Sequence, residues 1–257
     1  MSASERLLLP IRGLLPLAAG LLVWQFAANG VSPQFPPPLV WLAAVLTLVK
    51  TGAFWPAAAA TLSTLVISLV VASATGFALG LLIGTVAMVR DWSGPLLEYF
   101  RAIPPPVLIP IVVLMLGYSS VMKIAVVAFA GFWPVLLNTI TGVSQIRALT
   151  FDVAKSFRLS WLERMIKIVI PATIPSLLLG VRVALPHTVI ITLVVEMFTG
   201  AVGLGGLMIM AERNFNAAAV FGLLVVVGLL GFGLSALFNI LQRAILKRWP
   251  TAAATGA

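Results

Sequence analysis

Apolar residues run through this chain in long blocks, broken by short stretches where charge, proline and glycine gather. About 20 consecutive apolar residues suffice to cross a bilayer as a helix. Gly13 to Ala28, interrupted only by Gln25, is just long enough and follows Arg6 and Arg12. It reads either as a signal peptide or as a retained first helix; the lack of a small-residue cleavage motif favours retention. Phe35 to Trp55 opens on Pro36, Pro37 and Pro38 and meets Lys50 too soon to cross, so an interfacial helix is expected, with Trp41 and Trp55 at headgroup depth. Pro56 to Val89 is a second span, ended by Arg90, Asp91 and Trp92. A third follows Arg101, and its Pro104, Pro105, Pro106 and Pro110 predict a bent, locally unwound start. The fourth covers Ile124 to Val143, with Pro134 and Asn138 inside. The fifth covers Pro175 to Phe198, and the sixth Ala217 to Leu241 after a glycine-rich turn carrying Glu212 and Arg213. The fold class is therefore all-α and polytopic, with about six transmembrane helices.

The main polar interruption is Phe151 to Pro171. Thr150 is placed to cap a short helix with Asp152 in its first turn, and Lys155 and Arg158 lie toward its end. Ser160 and Glu163 have the spacing of a capping box, which starts a second helix. Earlier, Gly76, Gly80 and Gly84 recur every four residues, so they share one helical face and admit a close neighbour, within the chain or across a subunit interface.

Composition agrees: 61% of residues are hydrophobic and 9% charged, far from the quarter charged of soluble domains. Twelve basic residues fall on one side of the six spans (Arg6, Arg12, Arg90, Arg101, Arg147, Lys155, Arg158, Arg164, Lys167, Arg243, Lys247 and Arg248), against Lys50, Lys123 and Arg213 on the other. The positive-inside rule then puts both termini and the polar stretch in the cytoplasm. Basic residues scattered through loops do not suit nucleic acid.

Chemistry has little to work with. There is one histidine, no cysteine, no metal-ligand spacing and no GxxxxGK[ST] phosphate loop, so no metal or bound cofactor is expected and the chain does not cradle ATP by itself. The fifth span concentrates the ionisable residues Arg182, His187 and Glu196, which with Asn138 are the candidates for a pathway through the membrane. Arg182 and Glu196, 14 residues apart, fall within roughly 40° of each other on an ideal helix, and His187 falls on the opposite side from Glu196. The bland alternatives are snorkelling for Arg182, packing for His187, and capping of the glycine turn at Gly203 to Gly206 for Glu196. An ATP-independent transporter or channel and a membrane-embedded lipid enzyme remain as rival functions; the first more often carries charges in several spans, the second needs a catalytic set.

The polar stretch resembles the shared loop of the permease subunits of bacterial ATP-binding-cassette importers, in particular the nitrate, taurine and alkanesulfonate branch. Asp152, Val153 and Ala154 occupy the Glu-Ala-Ala places, and Ile168, Ile170 and Pro171 close the motif; Arg158 departs, standing where that family has glycine. Arg101 to Pro110, Phe132 to Thr139 and Gly180 to Gly205 resemble the same family in the same order. The resemblance implies a type I importer permease with a cytoplasmic coupling helix between spans 4 and 5, in the loop 145–171. It further implies an N-terminal helix and interfacial segment over residues 1–56, a core over 57–248 and a disordered tail over 249–257. Asp152, Val153, Ala154, Lys155, Ser156, Phe157, Arg158 and Leu159 would then dock on an ATPase. Two ATPases binding ATP and magnesium, a second permease copy and an extracytoplasmic binding protein are the implied partners. The implied cargo is a small organic or inorganic anion such as a sulfonate, taurine or nitrate, for which Arg182 offers charge-assisted donors.

Overall fold

The structure, a computed structural model, describes residues 3–28 and 34–247; the tail 249–257 lies outside them. Its described residues are helical and contain no strand: α1 (Ala3–Ala27), α2 (Pro38–Lys50), α3 (Phe54–Thr85), α4 (Ala87–Arg101), α5 (Ile109–Leu116), α6 (Ser120–Ser144), α7 (Ala148–Ser156), α8 (Trp161–Arg164), α9 (Ile170–Thr199), α10 (Leu204–Arg213) and α11 (Ala217–Leu246). A 3-10 turn, Pro105–Leu108, precedes α5, and a π-helical turn, Met165–Val169, joins α8 to α9.

The core is a slab of three long helices, with α6 between α3 and α9. The glycine ladder builds the first contact. A Cβ on Gly76 would meet Val135, one on Gly80 would come 2.6 Å from Thr139, and one on Gly84 would come 2.8 Å from Val143. The two series rise together in steps of four, so α3 and α6 run parallel, and their close face lies inside the chain. Gly131 against Thr188 and Gly142 against Ser176 rise on one helix and fall on the other, so α6 and α9 are antiparallel. Small residues let helices approach where lipid supplies no hydrophobic drive. Around the slab, Leu65, Leu185, Leu204 and Leu223 join α3, α9, α10 and α11, while Ile109, Met122, Val126 and Val195 join α5, α6 and α9.

Several boundaries differ from the sequence expectation. The second span ends at Thr85, and Arg90, Asp91 and Trp92 do not close it; they belong to the separate helix α4, reached through an extended Val86. The third expected span is a broken one. Its prolines leave only a 3-10 turn and the eight-residue α5, bent 83° from α4. Four helices are long and apolar enough to cross alone among the described residues, and this bent pair supplies a fifth. The fifth expected span begins earlier than Pro175, because helix continues from Trp161 to Thr199. Pro171 has no N–H for an α-type bond, and the wider π turn just before it absorbs that loss. The glycine-rich turn holds α10, which glycine composition concealed. Trp41, expected at headgroup depth, is buried within the protein: it is stacked on Phe221 at 5.1 Å and edge-on to Trp24, and its Nε1 donates to the Pro36 carbonyl at 2.7 Å. Trp55 is exposed.

Candidate functional site

Helix α7 begins at Arg147 as its cap, three residues before the expected Thr150, so Asp152 sits past the first turn. Ala154 is buried against the bundle and Phe151 is half-buried beside it. Leu149, Val153 and Phe157 follow at four-residue steps on the opposite face and are exposed, Phe157 at 76%. An apolar stripe on a helix that already has its buried face is a surface made for a partner. The sequence reading began at Asp152 and missed Leu149, although the four-residue spacing to Val153 was there to find. Asp152 accepts from Lys155 Nζ at 3.2 Å, and its carbonyl accepts from Ser156 Oγ at 3.1 Å.

The end of α7 explains Arg158. Its N–H donates to the Lys155 carbonyl at 2.8 Å, and the Leu159 N–H donates to the Ala154 carbonyl at 3.0 Å. These two bonds make a Schellman turn, which requires a left-handed residue at the Arg158 position. Arg158 adopts it, at φ 53°. The guanidinium makes no hydrogen bond to its own helix, so the non-glycine residue is held there by the backbone bonds alone. The next helix starts as expected: Ser160 Oγ accepts from Glu163 N–H, and Glu163 Oε2 accepts from Ser160 N–H at 3.0 Å.

The four pathway candidates do not form one cluster. Asn138 and His187 line a cavity of about 420 Å3 with Arg101 and Trp133, two residues the sequence reading left out of the site. Asn138 Nδ2 donates to the Pro134 carbonyl at 2.7 Å, and His187 Nδ1 lies 2.9 Å from the Val183 carbonyl. The Trp133 Nε1 donor beside them is buried without a partner among the described residues. Arg182, five residues and so about 140° around α9 from His187, is exposed outside the lining of that cavity, and it pairs with nothing described.

Glu196 is elsewhere. Arg182 and Glu196, on one continuous helix, differ in enclosure: α9 is packed at its C-terminal end and open around Arg182. Glu196 is 0% exposed. Its carboxylate accepts from Thr61 Oγ1 at 2.9 Å and from Gly205 N–H at 3.0 Å, and Lys123 Nζ stands 4.0 Å away. Thr61 in turn accepts from Leu204 N–H at 2.8 Å, and Lys123 donates to the Val202 carbonyl at 3.2 Å. Lys123, expected as an exposed loop charge, is 7% exposed. A Cβ on Gly203 would overlap the carboxylate, so the glycine turn and the buried acid require one another. This is the capping alternative for Glu196, extended to α3 and α6.

Residues 76–250 match the family of binding-protein-dependent transport system inner membrane components. The chain belongs to this family. It is a permease subunit of an ATP-driven importer, a multi-pass inner-membrane transport component whose ATPase is a separate polypeptide and which works with a substrate-binding protein. The permease is 26% identical over 241 residues to a putative aliphatic sulfonates transport permease of Bacillus subtilis, covering 92% of this chain and 87% of that one. It is 30% identical over 195 residues to a nitrate import permease of Leptolyngbya laminosa, covering 76% and 70%, and 26% identical over 256 residues to a bicarbonate transport permease of Synechococcus elongatus, covering 95% and 91%. Its fold is that of a chain of the MetNI methionine ABC transporter in an inward-facing conformation, with a TM-score of 0.66, 15% identity, and coverage of 76% of this chain and 97% of that chain. The channel and lipid-enzyme alternatives fall with this membership.

Proposed function

We propose that two copies of this permease enclose a pathway for a small anion, that α7 docks on one of two cytoplasmic ATPases, and that both termini and α7 face the cytoplasm. The observation that carries the reading is α7 itself: a helix with one face anchored by Phe151 and Ala154 and the other offering Leu149, Val153 and Phe157 to a partner. Core residues 57–248 supply the spans, with residues 1–56 appended to them. ATP and magnesium belong to the ATPase; the permease transmits its closure because ATP favours one arrangement of the pair over the other. Asn138 and His187 give the path its polar wall, and Arg182, exposed and unpaired on α9 outside that cavity, gives the pair of copies an anion-selective charge. Relatives named for aliphatic sulfonates, nitrate and bicarbonate support an anionic cargo, and the arginine's fork suits a sulfonate best.

The test is uptake in vesicles holding the permease, its ATPase and its binding protein. ATP-dependent accumulation of a sulfonate, nitrate or bicarbonate is expected. Arg182→Gln should lower it about tenfold, the worth of one charge-assisted hydrogen bond. A neutral or cationic ligand on the binding protein would overturn the role given to Arg182.

A further inference from the structure

At the α7 end of the bundle, a cleft of about 440 Å3 opens between the last residues of α3 and α6, the start of α4, and helices α7 and α8. Arg90, Lys155 and Arg164 line it, together with Thr85 and Ser144, and no carboxylate does. No described acid forms an ion pair with Arg164. Asp91 pairs with Arg90 at 3.6 Å and Asp152 with Lys155 at 3.2 Å, both on exposed side chains. Glu98 serves Arg101, Glu163 serves Lys167 and Ser160, Glu196 lies at the other end of the bundle, and Glu212 lines a separate cavity with Gln34 and Phe215. Arg164 therefore has no acidic partner, and its Nε is buried with no acceptor among the described residues. A buried guanidinium donor left open is a place where a missing acceptor belongs.

We propose that this cleft holds the phosphate of an anionic phospholipid headgroup. Three features favour a lipid over a protein acid. Lys155 lies about 160° around α7 from Val153 and Phe157, so the cleft is on the side turned away from the ATPase-docking stripe. Thr85 and Ser144 end two helices long and apolar enough to cross a bilayer, which puts the cleft toward one membrane face. Trp92 and Trp161, at this same end, are exposed, as residues of the interfacial layer are. Basic pockets between membrane helices toward a membrane face are built for such headgroups. Phosphate oxygens would accept from the open Arg164 Nε, with Arg90 and Lys155 as flanking charges. A lipid seated there would brace α7 against α3 and α6, the joint through which any movement of α7 passes.

The proposal goes beyond the importer reading, and its test needs no transport. The full-length permease is placed in nanodiscs of phosphatidylcholine with or without phosphatidylglycerol, and lipid retained after detergent extraction is measured by native mass spectrometry. The wild type should retain phosphatidylglycerol in preference to phosphatidylcholine. Arg164→Gln should weaken that retention about tenfold, Arg90→Gln and Lys155→Gln less, and Arg243→Gln, on another helix, not at all. A thermal melt of each variant establishes that it is folded. Equal retention by wild type and Arg164→Gln overturns the proposal. So does displacement of the lipid by millimolar inorganic phosphate, which would make the cleft a site for a soluble anion.

Discussion

The two ends of the helical slab are built on opposite plans. At the Glu196 end, charge is enclosed: Thr61, Lys123, Gly205 and the acid come from four separate parts of the chain, and the described polar atoms around the carboxylate are matched within 2.8 to 4.0 Å. At the α7 end, charge and apolar surface are both left open, in the exposed Leu149, Val153 and Phe157 and in the cleft of Arg90, Lys155 and Arg164. A satisfied buried network resists change, because removing one member strands the others in a medium without water. An unsatisfied surface does the reverse and waits for a partner. The first end holds α3, α6, α9 and α10 in register, and the second is the one that the proposed function makes the receiver of what drives the bundle.

If that contrast is right, stability should respond most to the enclosed end. Glu196→Ala strands the Lys123 ammonium and frees the Gly205 N–H, and should cost about 3–5 kcal/mol, read as a large fall in Tm of the detergent-solubilised permease. Gly80→Val places its Cβ against Thr139 in the α3–α6 contact and should cost about 1–3 kcal/mol by the same melt. Arg158→Gly at the open end should instead stabilise, by about 1 kcal/mol at most, since glycine takes φ 53° without the Cβ penalty. A fall in Tm for that variant would mean that the arginine side chain does more than point into water.

How much of this could be read beforehand depended on sequence distance. The apolar blocks gave α3, α6, α9 and α11, because burial or lipid demands an unbroken run, and the capping box at Ser160 was correct to the residue because both partners lie within one turn. The glycine ladder was visible, while its partner helix was not, since nothing in Gly80 points to Thr139. The Glu196 network was hidden for the same reason: Thr61 lies 135 residues away, and Lys123 in a short polar turn looks like any solvated lysine. The wheel angle joined Arg182 to Glu196 because it treats all levels of a helix alike; enclosure by α3, α6 and α10 at one level decides burial instead. α4 was missed because its charged residues read as a loop, and α10 because glycine weakens helix propensity without forbidding the helix.

The claim on which the functional account rests is that α7 is the ATPase contact. Its most direct measurement is the affinity of the partner ATPase for nanodisc-embedded permease carrying Val153→Asp or Phe157→Ala. Both positions are exposed, so the melt should move by no more than about 0.5 kcal/mol, while ATPase affinity falls by about 2 kcal/mol or more, as for a hot-spot residue. ATPase binding as tight as the wild type in both variants, with unchanged melts, would contradict the account.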